Sequence, residues 1–298
     1  MAKARQILRN FRTLGPALAL MAATLSPGVA AEAGEPQRIV SIGGSVTEII
    51  TRLGQRHRLI ARDTTSTFPP EIAELPDVGY IRALSPEGVL SVNPDLIVAL
   101  EGSGPPEALA VLKQAKVPLV EIPEGFDRRA ISRKIRAIAH ALGADEAGEK
   151  LAAEVEAKLR AAEAVAAKVK DRRKVLFILS MRGGRALAAG AHTHADAIIG
   201  LAGAQNALKG VEGYKQITDE AVIESGAQII LMMDRGGNHE ILDDALFKHP
   251  AIALTPAGRS RSVIRMNGLY LLGFGPRTAA AALDLNRAIY GREGASGK

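Results

Sequence analysis

The sequence predicts an α/β protein made of two Rossmann-like lobes with parallel sheets, joined by one long backbone helix. Short apolar segments alternate with helical segments in both halves of the chain, which is typical of parallel sheets covered on both faces. A weak internal repeat relates the two halves. Between them, residues 145–170 are rich in Ala, Glu, Lys and Leu and contain no Pro. They therefore favour a single helix of roughly 35–40 Å, about the size of a domain.

Residues 1–31 have the layout of a secretory signal peptide. Four basic residues and no acid come first, an apolar stretch follows over residues 14–25, and small residues occupy 28–31. This order predicts a peptide that is removed on export, and hence a periplasmic protein. An amphipathic transit peptide is the alternative. Without the four basic residues, the formal charge falls from +6 to +2.

Composition excludes several classes of protein. The 298 residues are 47% hydrophobic, which excludes global disorder, and the absence of Cys excludes disulfides, thiolate metal sites and a lipid anchor on Cys. Aromatic residues make up only 3%, and the small residual charge gives no case for nucleic-acid binding. No hydrolase motif such as GxSxG or HExxH occurs. Binding is therefore favoured over catalysis, with a two-lobed periplasmic enzyme as the alternative of a different class.

The first half is predicted to form an N-terminal lobe over residues 37–143. Its buried strands are expected at 38–41, 59–61, 96–100 and 118–122, and its helices at 47–53, 86–91, 106–114 and 128–142. The linking helix falls within 144–171.

The C-terminal lobe is predicted over residues 172–292. Its strands are expected at 174–179 and 228–232, and its helices at 194–201, 219–224, 241–248 and 276–290. A ligand would lie between the lobes, at the carboxyl ends of the strands.

The internal repeat aligns residues 84–100 with 217–233 without a gap. Ser85 and Thr218 are good N-cap residues, and Glu87 and Glu220 follow in the first turn, where a carboxylate suits the helix dipole. A second, looser pair of capping-box starts falls at 45–48 and 193–196. Two matches in the same order favour two similar lobes.

Three glycine-rich turns follow predicted strands. Gly44, in Gly43-Gly44-Ser45, precedes a helix and could help to bind an anion there, although a tight turn explains the same residues. Arg182 and Arg235 each follow a buried strand and precede paired glycines. Either arginine could pair with a ligand carboxylate in the cleft, or simply lie in solvent.

Tyr80 is two residues before Arg82 in a loop that leads into a capped helix. A guanidinium stabilises a neighbouring phenolate, and a phenolate oxygen suits ferric iron, including haem iron. The alternative is an exposed loop tyrosine beside a solvated arginine. His192 and His194 lack the spacing of a helical zinc pair, and no third ligand can be named.

Residues 38–49 (RIVSIGGSVTEI) and 78–88 (VGYIRALSPEG) resemble haem-specific periplasmic substrate-binding proteins of ABC importers, the HmuT type. The first motif is shared partly with siderophore and cobalamin binders, and the Tyr80 loop is the more specific signal. The resemblance implies a class III periplasmic binding protein fold. It also implies that ferric haem (Fe(III) protoporphyrin IX) is the transported ligand, with Tyr80 as axial ligand to its iron. Siderophore or cobalamin binding is the alternative with the same architecture.

The resemblance assigns further roles. Arg82 would bond the phenolate or a propionate, and Arg235 would face the haem. Glu87 and Glu220 would dock on the importer's permease, which works with its ATPase. No histidine lies in residues 180–184, where some relatives carry a second ligand, so five-coordinate iron is expected, with His192 or His194 as the alternative second ligand. A monomer is expected, supplied with haem by an outer-membrane receptor system.

Overall fold

Two lobes, each a β-sheet with helices packed against it, make up the computed structural model, which describes residues 35–208, 210–234 and 243–291. The two-lobed α/β prediction is confirmed. The predicted signal peptide lies outside the described residues. No helix in the described part of the chain is both long enough and apolar enough to cross a membrane. The lobe limits predicted at residues 143 and 172 stay predictions.

The first sheet is four-stranded and entirely parallel, in the order β2-β1-β3-β4. Buried aliphatic side chains dominate its two central strands, because helices cover both faces. Its strands and helices alternate as predicted: β1 (Ile39–Ile42), α1 (Gly44–Arg52), β2 (Leu59–Arg62), α2 (Pro86–Leu90), β3 (Leu96–Leu100), α3 (Pro106–Gln114), β4 (Leu119–Ile122) and α4 (Arg128–Ala141).

A 23-residue helix, α5 (Asp145–Ala167), follows this lobe. It ends three residues before the predicted limit of 170. Its buried positions include Leu151, Val155 and Leu159, which pack into one apolar cluster with residues from both halves of the chain. Gly148 allows the close approach of α4, because a Cβ there would lie 2.3 Å from the Cβ of Ala139. The long helix therefore packs against both halves of the chain, as the sequence predicted.

The second sheet has the order β10-β9-β5-β6-β8, with β7 also paired to β5. Its elements are β5 (Lys174–Arg182), β6 (Arg185–Ala189), α6 (His194–Leu201), β7 (Gln205–Asn206), β8 (Tyr214–Ile217), α7 (Asp219–Glu224), β9 (Ile229–Asp234), α8 (Asp243–Phe247), α9 (Pro250–Ala253), α10 (Pro256–Arg259), β10 (Val263–Asn267), α11 (Gly268–Leu272) and α12 (Thr278–Tyr290).

This second sheet is mixed, whereas the sequence analysis expected parallel strands only. β6 runs antiparallel to both β5 and β8. The cause is the two-residue turn Gly183-Gly184, in which both residues have positive φ (56° and 75°). Such a turn suits glycine pairs and folds the chain directly into a hairpin. The hairpin places β6 and β8 beyond the parallel strands.

Helix starts were predicted with unequal success. Ser85, Thr193 and Thr218 each accept a hydrogen bond at a helix N-terminus, as expected. The capping box expected at Ser45 is wrong, since α1 begins earlier and Gly43, with φ 112°, is its N-cap. Ser45 lies inside the helix, and its hydroxyl contacts a side chain from another helix.

Candidate functional site

The loop that carries Tyr80 is tightly attached to the first sheet. Thr64 N donates to Gly79 O (3.0 Å), and Gly104 N donates to Ile81 O (2.9 Å). The side chains of Val78 and Leu84 are buried and Ile81 is half-buried against the same apolar cluster. With Ile81 turned inward, the flanking side chains of Tyr80 and Arg82 are exposed. The loop therefore presents a phenol and a guanidinium on a rigid base.

Tyr80 differs from Tyr270 and Tyr290 in its hydroxyl. Tyr270 Oη donates to Asp284 Oδ2 (2.7 Å), and Tyr290 Oη donates to Gly203 O (3.0 Å). Burial, with Asp284 next in effect, raises the pKa of Tyr270 to about 12. Tyr80 is 47% exposed, and its hydroxyl has no hydrogen-bond partner among the described residues. It is thus an uncommitted oxygen donor.

The charge of Arg82 reaches a residue of the second sheet, Tyr214 at the start of β8. Burial raises the pKa of the Tyr214 hydroxyl, and hydrogen bonds from the Ala195 backbone and the Thr193 side chain, together with the Arg82 charge, act in the opposite direction. The two lobes therefore approach each other here, with Arg82 on one side and Tyr214 on the other. No sequence signal pointed to Tyr214.

His194 is held between aromatic rings from both halves of the chain. Its ring makes edge contacts with Phe126 (4.7 Å between centroids) and Phe274 (5.0 Å). His194 Nε2 lies 3.5 Å from Glu124 Oε1. With its ring enclosed in this way, His194 is poorly placed to bind a ligand. Among the described residues, no group of three or more His, Asp or Glu side chains could hold a metal ion.

A buried lysine forms the centre of this interlobe contact. Lys134 Nζ lies 2.6 Å from Glu124 Oε1, 3.4 Å from Ser45 Oγ and 3.2 Å from Phe274 O. Burial lowers the pKa of Lys134, opposed by the charge of Glu124. Burial by itself would raise the pKa of Glu124, but His194 and Lys134 together lower it to about 2. These residues link α1, α4 and the segment before α12.

Arg277 and Glu48 form a second interlobe contact. It lies beside an open cavity of about 340 Å³. Arg277 Nε donates to Glu48 Oε1 (2.9 Å), and the guanidinium carbon lies 3.4 Å from the centroid of the Phe68 ring. Residues from both halves line the cavity: Thr67, Phe68, Asn267, Tyr270 and Arg277. The sequence analysis missed this contact, because Glu48 and Arg277 are 229 residues apart.

Gly44 has a packing role at the start of α1. Gly43 N donates to Asp63 Oδ1 (2.9 Å) and Gly44 N donates to Thr65 Oγ1 (3.2 Å), so both amides are already used within the protein. A Cβ on Gly44 would lie 2.4 Å from Leu269 Cδ1 and 2.8 Å from Thr65 O. Glycine is needed there because α1 and α11 approach closely. Anion binding at Gly44 stays a prediction, with the Gly43 and Gly44 amides bonded within the protein in this structure.

Arg182 and Arg235 are the two arginines predicted to face the cleft, and the structure describes only the backbone of Arg182. The backbone of Arg182 ends β5, where it pairs with Arg185 across the hairpin. Arg235 follows β9 but lies outside the described residues. Both remain predictions as ligand contacts.

Glu87 and Glu220 occupy equivalent positions in α2 and α7. Each is exposed in the first turn of a short helix whose N-cap is a hydroxyl residue. The Ser85 hydroxyl, with the Glu87 backbone amide, lowers the pKa of Glu87. The Glu220 backbone amide, with the Thr218 hydroxyl, lowers the pKa of Glu220. The repeat thus places one exposed anionic carboxylate on each lobe.

Solved structures of two proteins share this fold over most of their length. The periplasmic heme-binding protein RhuT from Roseiflexus sp. RS-1 is 41% identical, with a TM-score of 0.82 over 86% of this chain and 98% of that one. The periplasmic heme-binding protein BhuT, solved with two hemes, is 39% identical, with a TM-score of 0.80 over 85% of this chain and 97% of that one.

Two relatives found by sequence similarity are not named as heme-binding proteins. The vitamin B12-binding protein of Vibrio parahaemolyticus is 24% identical over 85% of this chain and 90% of its own length. An uncharacterised ABC transporter substrate-binding lipoprotein of Bacillus subtilis, YvrC, is 28% identical over 67% of this chain and 64% of its own length. The family model described as periplasmic binding protein matches residues 39–268. With two lobes, a long connecting helix and this match over most of its length, the chain belongs to the periplasmic binding protein family.

Proposed function

We propose that this protein captures ferric haem between its lobes in the periplasm and delivers it to an ABC-type haem importer. The observation that carries the proposal is the exposed Tyr80 hydroxyl, which has no partner among the described residues and is held on a rigid loop beside Arg82. An anionic oxygen ligand favours Fe(III), and tyrosinate is an established haem ligand type.

Similarity to known proteins favours haem over a corrinoid. The relatives named as heme-binding are 39% and 41% identical to this chain, whereas the vitamin B12-binding protein of Vibrio parahaemolyticus is 24% identical. A siderophore or cobalamin ligand remains the second candidate, since proteins of this architecture include B12 binders.

Each residue of the loop has a defined task in this proposal. Tyr80 supplies the axial oxygen of a five-coordinate iron, and the enclosed ring of His194 supports the absence of a second ligand from that residue. Arg82 stabilises the phenolate or pairs with a propionate, which a guanidinium can bind through two hydrogen bonds. Arg182 and Arg235 are further proposed partners for the propionates. The apolar porphyrin is held mainly by contacts with both lobes.

Delivery requires contact with the membrane permease and its ATPase. Glu87 and Glu220 are proposed to dock on basic residues of that permease, one carboxylate from each lobe. Their exposure and lowered pKa values keep both charged at neutral pH. Binding without turnover is the expected behaviour, which separates a carrier from the two-lobed enzyme alternative.

The test is hemin titration, followed by visible spectroscopy, on the protein without residues 1–31. Wild type should bind stoichiometrically with a tyrosinate-type ferric spectrum. Tyr80→Phe should change that spectrum and weaken binding at least about tenfold, through loss of the iron–oxygen bond. Tyr290→Phe is the matched control and should behave like wild type. Binding of cyanocobalamin or a ferric siderophore in place of hemin would contradict the proposal, as would an unchanged Tyr80→Phe spectrum.

A further inference from the structure

The few aromatic residues of this chain are unusually placed. The sequence holds only four Tyr and six Phe. Among the described residues, the exposed ones are Tyr80 (47%), Phe126 (37%) and Tyr214 (37%). An exposed aromatic side chain loses the large gain from burial that such rings normally provide. Three exposed rings in a chain with so few aromatic residues therefore favour a binding role for the surface around them.

Tyr80, Phe126 and Tyr214 all lie in the region where the two lobes approach each other. Phe126 contacts the ring of His194, the first residue of α6. The segment just before α6 adjoins Tyr214, because Gly190 N donates to Gly213 O and Gly213 N donates to Ala191 O, each at 2.9 Å. The charge of Arg82 also reaches the Tyr214 hydroxyl. Arg82 and Tyr80 share one loop. The contacts thus form a continuous path from Phe126, through the start of α6, to Tyr214 and the Tyr80 loop.

Tyr214 is firmly positioned on the second sheet. It begins β8, where it pairs with Ala189 of β6, and its ring makes an edge contact with Phe177, at 6.4 Å between centroids. Phe177 is completely buried in the core. One part of the Tyr214 ring is therefore fixed by packing, while 37% of the residue stays accessible.

We propose that Tyr214 is a ligand-contacting residue of the second lobe, which packs its exposed ring against the open face of a flat macrocycle bound through Tyr80. This inference rests on the proposed function and adds a determinant of specificity to it. A macrocycle whose metal is bound on one face leaves the other face free for an aromatic contact. A corrinoid with axial ligands on both faces offers no such flat surface, so Tyr214 would discriminate against it.

The roles of ring and hydroxyl can be separated by substitution. Tyr214→Phe keeps the ring, and Tyr214→Leu keeps apolar bulk but removes the aromatic face. Leu254→Ala is a control that removes an exposed apolar side chain (59% exposed) at the end of α9. Thermal unfolding of each variant verifies that the fold is kept before binding is compared.

The experiment measures hemin and cyanocobalamin affinity for each variant by titration. Tyr214→Leu should weaken hemin binding about tenfold, with the tyrosinate-type spectrum retained because Tyr80 is intact. Tyr214→Phe and Leu254→Ala should stay within about threefold of wild type. The ratio of hemin affinity to cyanocobalamin affinity should be smaller in Tyr214→Leu than in wild type.

Two outcomes distinguish failure of this inference from failure of the proposed function. If wild type binds hemin through Tyr80 and Tyr214→Leu binds it as tightly, the contact assigned to Tyr214 is wrong and the haem function stands. If wild type prefers cyanocobalamin, both the haem function and the role of Tyr214 in selecting a flat ligand are overturned.

Discussion

Lys134 Nζ lies 2.6 Å from Glu124 Oε1, and Lys134 is completely buried between the two halves of the chain. A buried ion pair contributes less to stability than its short distance suggests, because both groups lose their hydration. Removing one partner alone is costly, since the other charge is left buried without compensation. This asymmetry makes the pair a sensitive point of the interlobe contact.

Lys134→Met should lower the free energy of unfolding by roughly 3–5 kcal/mol, because Glu124 then loses its main counter-charge. Urea unfolding followed by circular dichroism measures the change. The double variant Lys134→Met with Glu124→Leu should recover most of the loss. A double variant as unstable as the single one would show that packing of the lysine side chain, not its charge, is what matters.

Acid should weaken the same contact. The pKa of Glu124 in the folded protein is lowered to about 2, against 4.5 as its ordinary value. The stability that this carboxylate contributes is therefore fully present above pH 4.5 and is lost as the pH falls towards 2. Its size is on the order of 3 kcal/mol. Unfolding measured from pH 6 down to 2 should show a weaker pH dependence in Glu124→Gln. Parallel curves for the two proteins would contradict this prediction.

Gly44→Ala should destabilise the protein by about 1–3 kcal/mol, because the added Cβ would meet the Thr65 carbonyl oxygen at 2.8 Å. Gly200→Ala is the matched control in helix α6, where nothing lies within 4 Å of the added Cβ. It should stabilise the protein by about 0.5–1 kcal/mol, since alanine is the better helix former. Thermal unfolding separates the two, and similar melting temperatures for both variants would disprove a steric role for Gly44.

Charge reversal at Glu87 or Glu220 should reduce haem import while leaving haem binding unchanged. Each carboxylate is exposed, and within the described residues neither forms a hydrogen bond or ion pair with Tyr80, Arg82 or Tyr214. Cells that depend on haem as their iron source provide the assay, and hemin titration of the purified variants provides the comparison. Glu146→Lys, which alters an exposed first-turn glutamate of α5, is the control and should support normal growth. Normal growth of a Glu87→Lys with Glu220→Lys double variant would remove these residues from the docking surface.

Local sequence signals were sufficient for much of the fold and for part of the site. The limits of α3, α6, α7 and β3 were predicted to the residue, because apolar periodicity and capping hydroxyls arise from neighbouring positions. The exposed positions of Tyr80, Glu87 and Glu220 follow from the same local patterns. The antiparallel hairpin was missed although Gly183-Gly184 is a strong turn signal, because the strand after it, Arg185–Ala189, is rich in Ala and has low β-propensity.

Sequence alone determined the two-lobed α/β architecture, the long helix between the halves and the loop that presents Tyr80. Only the tertiary structure decided that Tyr214 lies within reach of the Arg82 charge, that Gly44 is required by α11, and that Lys134 reaches Phe274, 140 residues away. The physical reason is the range of the interactions. Turns, caps and periodicity depend on residues a few positions apart, whereas contacts between lobes depend on how distant surfaces pack once both lobes have formed.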